Sequence, residues 1–315
     1  MEQLCFGVDI GGTAVKVGLF TTEGRLVEKW DFATRKTKEG KEILKDVADF
    51  IKEKIQILKL DMGSILGIGI GLPGPVKDNG EVLELPNMGL GHFNIEKEMQ
   101  ELIGLKVKAA NDANIAALGE QWQGSGKGYH NMVLITLGTG VGGGVILKDA
   151  ILAGSNGAGG EIGHMLVNYK EKDRCGCGKR GCLEQYASAT GIVRMAKRSL
   201  SSNNKASALQ NIDNISAKIV FDLAKEGDAL AQDIVSEACR YLGIACANIA
   251  QVIDPEAFII GGGVSKAGEV LTDQIKEYYE INVMDALKNK DFKLAVLGND
   301  AGIYGGARLI LASNG

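Results

Sequence analysis

The stretch Glu161–Glu184, EIGHMLVNYKEKDRCGCGKRGCLE, sets one His and three closely spaced Cys between two Glu within twenty-four residues. Thiolate sulfur and imidazole nitrogen are preferred zinc ligands, and one nitrogen with three sulfurs completes a closed tetrahedral shell. His164, Cys175, Cys177 and Cys182 are therefore the expected ligands of a structural Zn2+. A catalytic zinc keeps one position open for water, and four strong ligands leave none. The competing uses of such cysteines are a redox pair and a disulfide framework. Disulfide frameworks belong to short secreted chains, whereas this chain has 315 residues. Cys5, Cys239 and Cys246 lie in apolar or helical contexts and read as small buried hydrophobes. Glu161 and Glu184 flank the metal knot, so the metal is expected to shape a binding site and not to carry out the reaction.

A second candidate is Asn111-Asp112, where a strand ends and a helix begins. Asp and Asn are ordinary helix N-caps. A carboxylate at the carboxyl end of a strand also stands where α/β folds bind ligands. There Asp112 can accept the proton of a hydroxyl that attacks a phosphoryl group, a reaction that needs positioning, charge neutralisation and one base.

Glycines form the third signal. Gly11-Gly12-Thr13 and Gly138-Thr139-Gly140 each interrupt an apolar strand that then returns. Gly69–Gly74 and Gly138–Gly143 both spell GxGxxG, but a dinucleotide fingerprint must lead into a helix. Pro73 and Pro75 block a helix after the first, and the second runs into Val145-Ile146-Leu147. No Walker A sequence is present. Ordinary hairpin turns would explain both sites, except that Thr13 and Thr139 follow glycines in matching places, where a hydroxyl beside free amides suits phosphate or Mg2+. A third run, Gly261-Gly262-Gly263, ends a strand and permits flat approach by an adenine or ribose, or serves as a tight turn.

The elements that must position these residues follow from periodicity. Strands are expected at 4–10, 14–20, 25–32, 65–71, 106–110, 132–137, 144–148, 257–260 and 293–297. Helices are expected at 40–59, 113–123, 216–226, 229–252, 265–288 and 302–312. Ser199–Asn211 reads as a polar loop. The opening plan of strand, Gly-Thr turn and strand recurs near residue 132, which points to an internal duplication. Two such turns facing a cleft could hold nucleotide phosphates by backbone N–H groups.

Net charge is −4 and hydrophobic content 45%, so no basic footprint for nucleic acid stands out and a globular chain with room for two domains is expected. The apolar runs are strand-sized and Gly-rich, so no membrane span is expected. No basic segment precedes the first strand, and the protein reads as cytoplasmic.

These strings together resemble the ROK family of sugar kinases and repressors, within the hexokinase–actin superfamily. The matching residues are Asp9-Ile-Gly-Gly-Thr13, Gly71-Leu-Pro-Gly-Pro75, Asn111-Asp112-Ala-Asn114, Leu137-Gly-Thr-Gly140, Glu161-Ile-Gly-His164, Cys175 to Glu184 and Gly261-Gly-Gly-Val264. They span nearly the whole chain in family order. Ala187–Arg194 is similar to the bacterial glucokinases of that group. The resemblance implies an α/β fold of duplicated actin-like/ribonuclease H-like domains with an interdomain cleft. It also implies a small domain over 1–120 plus the returning C-terminal helix 301–315, and a large one over 121–300 that carries the zinc loop.

Asp112 matches the base that deprotonates the sugar 6-hydroxyl. Asn111, Glu161, His164 and Glu184 match sugar-binding residues, with backbone help at Gly71 and a further contact at Asn87. His164 would use one ring nitrogen for zinc and the other for sugar, the metal fixing its tautomer. Gly11, Gly12, Thr13, Gly138, Thr139 and Gly140 match the ATP phosphate loops, Gly261 and Gly262 the adenosine wall, and Asp9 a carboxylate near Mg2+ acting through water. The implied activity is ATP-dependent phosphorylation of a hexose, glucose first, with mannose, fructose, allose, N-acetylglucosamine or N-acetylmannosamine as alternatives. A non-catalytic sugar sensor or repressor is a further alternative, although the first strand begins by Leu4 without a preceding helix-turn-helix. The implied assembly is a homodimer or homotetramer.

Overall fold

The computed structural model describes residues 2–35, 42–83, 91–202 and 205–314. Asn87 lies outside the described residues. The chain divides into two compact units, Met1–Gly128 with Gly144–Gly160 and Leu297–Gly315, and Tyr129–Gly143 with Glu161–Val296.

The first unit opens with the strands β1 (Leu4–Ile10), β2 (Ala14–Thr21) and β3 (Leu26–Ala33), followed by helix α1 (Glu42–Ile57) and strand β4 (Ile65–Leu72). A short pair, β5 (Glu81–Val82) and β6 (Phe93–Asn94), precedes α2 (Ile95–Ile103), β7 (Val107–Asn111) and α3 (Asp112–Gln123). Its sheet runs β3-β2-β1-β4-β7. The hairpin β1–β2 is antiparallel, whereas β1, β4 and β7 are parallel neighbours.

Alternation in β1 builds two different faces. Leu4, Phe6, Val8 and Ile10 join the core that includes Ile43, Leu44, Val47 and Ile51 of α1. Cys5 turns the other way, to Phe20, Ile303, Ala307 and Ile310. That second face is floored by glycine. A Cβ on Gly7 or Gly69 would collide with backbone oxygens of Ile303 and Gly306. The missing side chains let the C-terminal helix lie directly on β1 and β4.

A second five-stranded sheet has the order β10-β9-β8-β11-β12. Its strands are β8 (Met132–Leu137), β9 (Val141–Leu147), β10 (Ala150–Ile151), β11 (Ala257–Gly261) and β12 (Asp291–Leu294). Again three members, β8, β11 and the edge strand β12, are parallel neighbours. Between β10 and β11 come α4 (Glu184–Ala187), α5 (Ala189–Ser202), α6 (Ala217–Lys225) and the long, largely buried α7 (Ala229–Ile253). Helix α8 (Glu269–Asn282) lies between β11 and β12, and α9 (Ala301–Ala312) closes the chain in the first unit. Among the described residues, no helix is long and apolar enough to cross a membrane.

Several expectations shift. The helix expected at 265–288 is a 3-10 turn at Val264–Ala267, then α8, then a 3-10 turn at Asp285–Leu287. Gly268, at φ 86°, separates the first two. The last strand begins at Asp291 and not at 293. Helices α2 and α5 were not foreseen, and α5 covers the start of the stretch read as a loop from Ser199.

Candidate active site and metal loop

In the first unit, the candidate residues gather at the carboxyl ends of the parallel strands. Asp9 pairs with Lys16 across β2 and with Gly71 across β4, and Gly71 pairs with Ala110 of β7. Two residues beyond Ala110 stands Asp112, whose carboxylate accepts a 2.8 Å bond from Ala113 N. Asn111 is the N-cap of α3, accepting from Ala113 N at 2.9 Å and Asn114 N at 3.2 Å. Its side-chain amide donates to Gly74 O at 3.1 Å. The capping role and the proximity to the loop of Gly71–Pro75 are thus both present in one residue. A Cβ on Gly71 would collide with Ile115, so this glycine brings α3 against β4.

Asp9 is the electrostatic anomaly of this region. Its carboxyl pKa is pushed up to about 6, first by burial and then by the charge of Asp112, with Lys16 acting in the opposite sense. A Cβ on Gly302, in the first turn of α9, would lie 2.7 Å from the Asp9 carboxyl carbon. The C-terminal helix therefore brings its positive end to this carboxylate. Lys16 Nζ donates to Asn299 O at 2.6 Å and Lys29 pairs with Asp300 at 2.7 Å, holding the turn that starts α9.

The glycine turn of the same unit has its carbonyls tied down. Thr34 Oγ1 donates to Gly11 O at 2.6 Å and Thr34 N to Thr13 O at 3.0 Å. Gly12 and Thr13 are exposed, and nothing lies within 4 Å of where a Gly12 Cβ would be. What this turn offers a ligand is its N–H side.

In the second unit, the corresponding turn is built the same way. Ala189 N donates to Gly138 O at 2.8 Å and Thr190 Oγ1 to Thr139 O at 2.7 Å. Ser188 caps α5, its Oγ accepting from Gly191 N at 2.9 Å. Glu184 lies against this turn and accepts from Val141 N at 3.1 Å. Its other carboxylate oxygen is 3.5 Å from Cys175 Sγ. Glu161 is exposed and precedes the 3-10 turn Ile162–His164. A Cβ on Gly163 would collide with Val141 O, so that turn packs on the start of β9.

His164, Cys175, Cys177 and Cys182 do converge. Their ligand atoms all lie within 4.8 Å of one another. Cys177 Sγ and Cys182 Sγ are 3.6 Å apart, and His164 Nδ1 is 3.8 Å from Cys175 Sγ. Zinc–sulfur bonds of about 2.3 Å at tetrahedral angles put sulfurs about 3.8 Å apart, so the donor set fits that ion. Nδ1 is the ring nitrogen turned toward the sulfurs, which leaves Nε2 for another partner. The loop is closed by Cys175 N donating to Lys179 O at 2.8 Å and Gly178 N to Cys175 O at 2.9 Å. Burial pushes the Cys182 thiol up to about 12, a bias that a divalent cation reverses by favouring thiolate.

This loop is pinned to α5 by a buried acid. Glu171, 7% exposed, accepts from Tyr186 OH at 2.6 Å, Arg194 at 3.0 Å and both terminal nitrogens of Arg198 at 2.9 Å. Hydrogen bonds from Arg198 hold its carboxyl well below the usual carboxylate range, against the opposing effect of burial. No role for Glu171 is legible in residue order, because its partners lie 15 to 27 residues away.

At the third glycine run, Gly261 and Gly262 face protein. A Cβ on Gly261 would meet Ala295 at 3.1 Å, and one on Gly262, at φ 86°, would meet Leu137 N at 2.6 Å. Gly263 has nothing within 4 Å and borders a mainly apolar cavity of about 300 Å³. Ala189, Ser216, Ala217, Phe221 and Val264 also line it. Sequence reasoning found helix α6 but missed that Ala217 and Phe221, one turn apart, wall a cavity.

Comparison with known proteins places this arrangement. The glucokinase of Halalkalibacterium halodurans is 42% identical over 309 residues, covering 96% of this chain and 94% of its own length. A ROK family glucokinase from Streptomyces griseus, solved with glucose and AMPPNP, is 35% identical with a TM-score of 0.74, over 97% of this chain and 98% of its own. The ROK hexokinase of Thermus thermophilus is 30% identical with a TM-score of 0.83, over 99% and 100% of the two chains. The sequence model of the ROK family matches residues 5–313, and the chain belongs to that family.

Proposed function

We propose that this protein is an ATP-dependent glucokinase that transfers the γ-phosphoryl group of ATP to the sugar 6-hydroxyl, with Asp112 as general base. The observation that carries this reading is the placement of Asp112 at the carboxyl end of β7, within electrostatic reach of Asp9 and in the same unit as the first glycine turn. The 42% identical relative is itself a glucokinase, which favours glucose over other hexoses. The matching strand orders of the two sheets support a duplicated actin-like architecture.

In this reading Asp112 takes the proton of the 6-hydroxyl as oxygen attacks phosphorus. Glu161, Glu184 and His164 Nε2 bind ring hydroxyls, with Gly71 contributing backbone and Asn87 a further contact. Asn111 has one amide hydrogen left for sugar after its capping and loop bonds, so its main contribution is to aim α3. The amides of Gly12, Thr13, Thr139 and neighbouring turn residues bind phosphates, and the apolar cavity beside Gly263 takes the adenine. Asp9 would hold Mg2+ through water, and the ion would neutralise charge on the transferring group. His164 and the three cysteines would hold a structural zinc that stiffens the sugar-binding loop.

The test is ADP release from Mg-ATP across glucose, mannose, fructose, allose and the N-acetylhexosamines. A glucose-dependent signal is expected, with turnover at least ~10²-fold lower in Asp112→Asn and sugar binding retained. A signal with another sugar alone would reassign the substrate, and unchanged turnover in the variant would remove Asp112 from the mechanism.

A further inference from the structure

The glycines of the second turn divide into two kinds. Around a Cβ built on Gly138, the nearest atom is Gly140 O at 4.0 Å, so that glycine faces open space. A Cβ on Gly140 would instead collide with Glu184 Oε2 and lie 3.2 Å from its carboxyl carbon. The space that a side chain would fill at residue 140 is occupied by the Glu184 carboxylate, which there accepts from Val141 N. The other oxygen of the same carboxylate reaches Cys175 of the metal loop.

We infer that Gly140 is a positioning residue for sugar recognition, acting through Glu184, and that its lack of a side chain does not serve phosphate approach. The inference rests on Glu184 being a sugar ligand, as proposed above. A short peptide turn that binds phosphate needs small residues where the ligand comes close. At Gly140 the close neighbour is the protein's own carboxylate. Val141 N gives that carboxylate a fixed donor, and charge-assisted bonds of this kind are short-ranged and directional. Its other oxygen lies 3.5 Å from Cys175 Sγ, beside the candidate metal loop. Glu184 is thus set by the strand that follows the glycine turn and lies next to that loop.

The geometry also makes the inference testable, because the atoms in the way belong to the end of a flexible side chain. Alanine at residue 140 can be admitted by swinging Glu184 aside, so the fold survives while the carboxylate leaves its place. Gly140→Ala is expected to weaken glucose binding about 10-fold or more, the usual scale for a displaced charged hydrogen-bonding group. Its KM for ATP should stay within about 2-fold of wild type, and bound metal should be unchanged. Gly138→Ala, which intrudes on open space, is expected to do the reverse, raising KM for ATP and leaving glucose binding intact. Calorimetric titration of glucose without nucleotide reads the sugar side independently of turnover. In a Glu184→Ala background, Gly140→Ala should cost nothing further, since the atom it displaces is gone. A Gly140→Ala protein whose ATP KM rises, alone or along with weakened glucose binding, would overturn the assignment. So would full additivity with Glu184→Ala. Absence of sugar-dependent ADP release by the wild type would defeat the kinase reading instead, with glucose titration still deciding the role of Gly140.

Discussion

Asp9, at the carboxyl end of β1, and Glu171, in the metal loop, are both carboxylates largely removed from water, and their surroundings push them in opposite directions. Glu171 is saturated with donors from Tyr186, Arg194 and Arg198, so burial is overcome and the charged form is favoured. Asp9 is buried and has a like charge in Asp112, which Lys16 only partly offsets, so its pKa rises to about 6. One region resolves its electrostatic conflict and becomes rigid. The other keeps the conflict, which is the expected signature of a site that awaits a cation or substrate.

The largest expected effect lies on the resolved side. Glu171→Ala should cost on the order of 3 kcal/mol, because it removes the buried acceptor shared by two guanidinium groups and a buried hydroxyl. Chemical denaturation at neutral pH measures this, and an unchanged midpoint would mean that the loop is held by the metal alone. Because the folded-state pKa of Glu171 is depressed, its contribution is present above its unfolded value of 4.5 and fades as pH falls below it.

For Asp9 the sign reverses. Its folded pKa is raised above the unfolded value of 3.8, so its stabilising contribution is present below that pH and is lost as pH rises through about 6. Asp9→Asn should therefore gain stability relative to wild type between pH 4 and pH 8, by on the order of 2 kcal/mol. Activity should fall sharply in the same variant. Thermal unfolding across that range checks the first point, and a flat difference with pH would show that Asp9 is not strained.

A smaller effect is expected where the two kinds of region meet in function. Cys177→Ser should lower metal content and weaken glucose binding together, by about ten-fold. Elemental analysis alongside sugar titration decides it, and full sugar affinity without metal would separate the loop's rigidity from recognition. The smallest change is Lys16→Met, which removes a cation that lowers the Asp9 pKa. The acid limb of the pH–rate profile should move to higher pH, and a shift to lower pH would contradict the present account of Asp9.

Much of this was legible in the residues. The spacing of Cys175, Cys177 and Cys182 with His164 needs only ligand chemistry, and alternation in β1 marks which side is core. Helix α2 is legible too, although it is not among the helices expected above. Ile95, Met99 and Ile103 recur every four residues, Asn94 caps its start, and Gly104 ends it at φ 76°. Helix α5 hid behind its similarity to a family string, although Ile192, Met195 and Ala196 form a helical stripe.

Chemistry carried by neighbours along the chain is set by residue order: the candidate metal ligands, the hairpin turns, the Asn-Asp at a helix start and the alternating strands. These depend on local spacing, which residue order states directly. Tertiary structure alone decided what each group faces. Asp9 meets Gly302 only because α9 returns across a glycine floor, and Glu184 meets Val141 across a separation of 43 residues. Burial, charge and the space beside a glycine are properties of the assembled surroundings, so Gly138 and Gly140, alike in sequence, meet different neighbours only once the chain has folded.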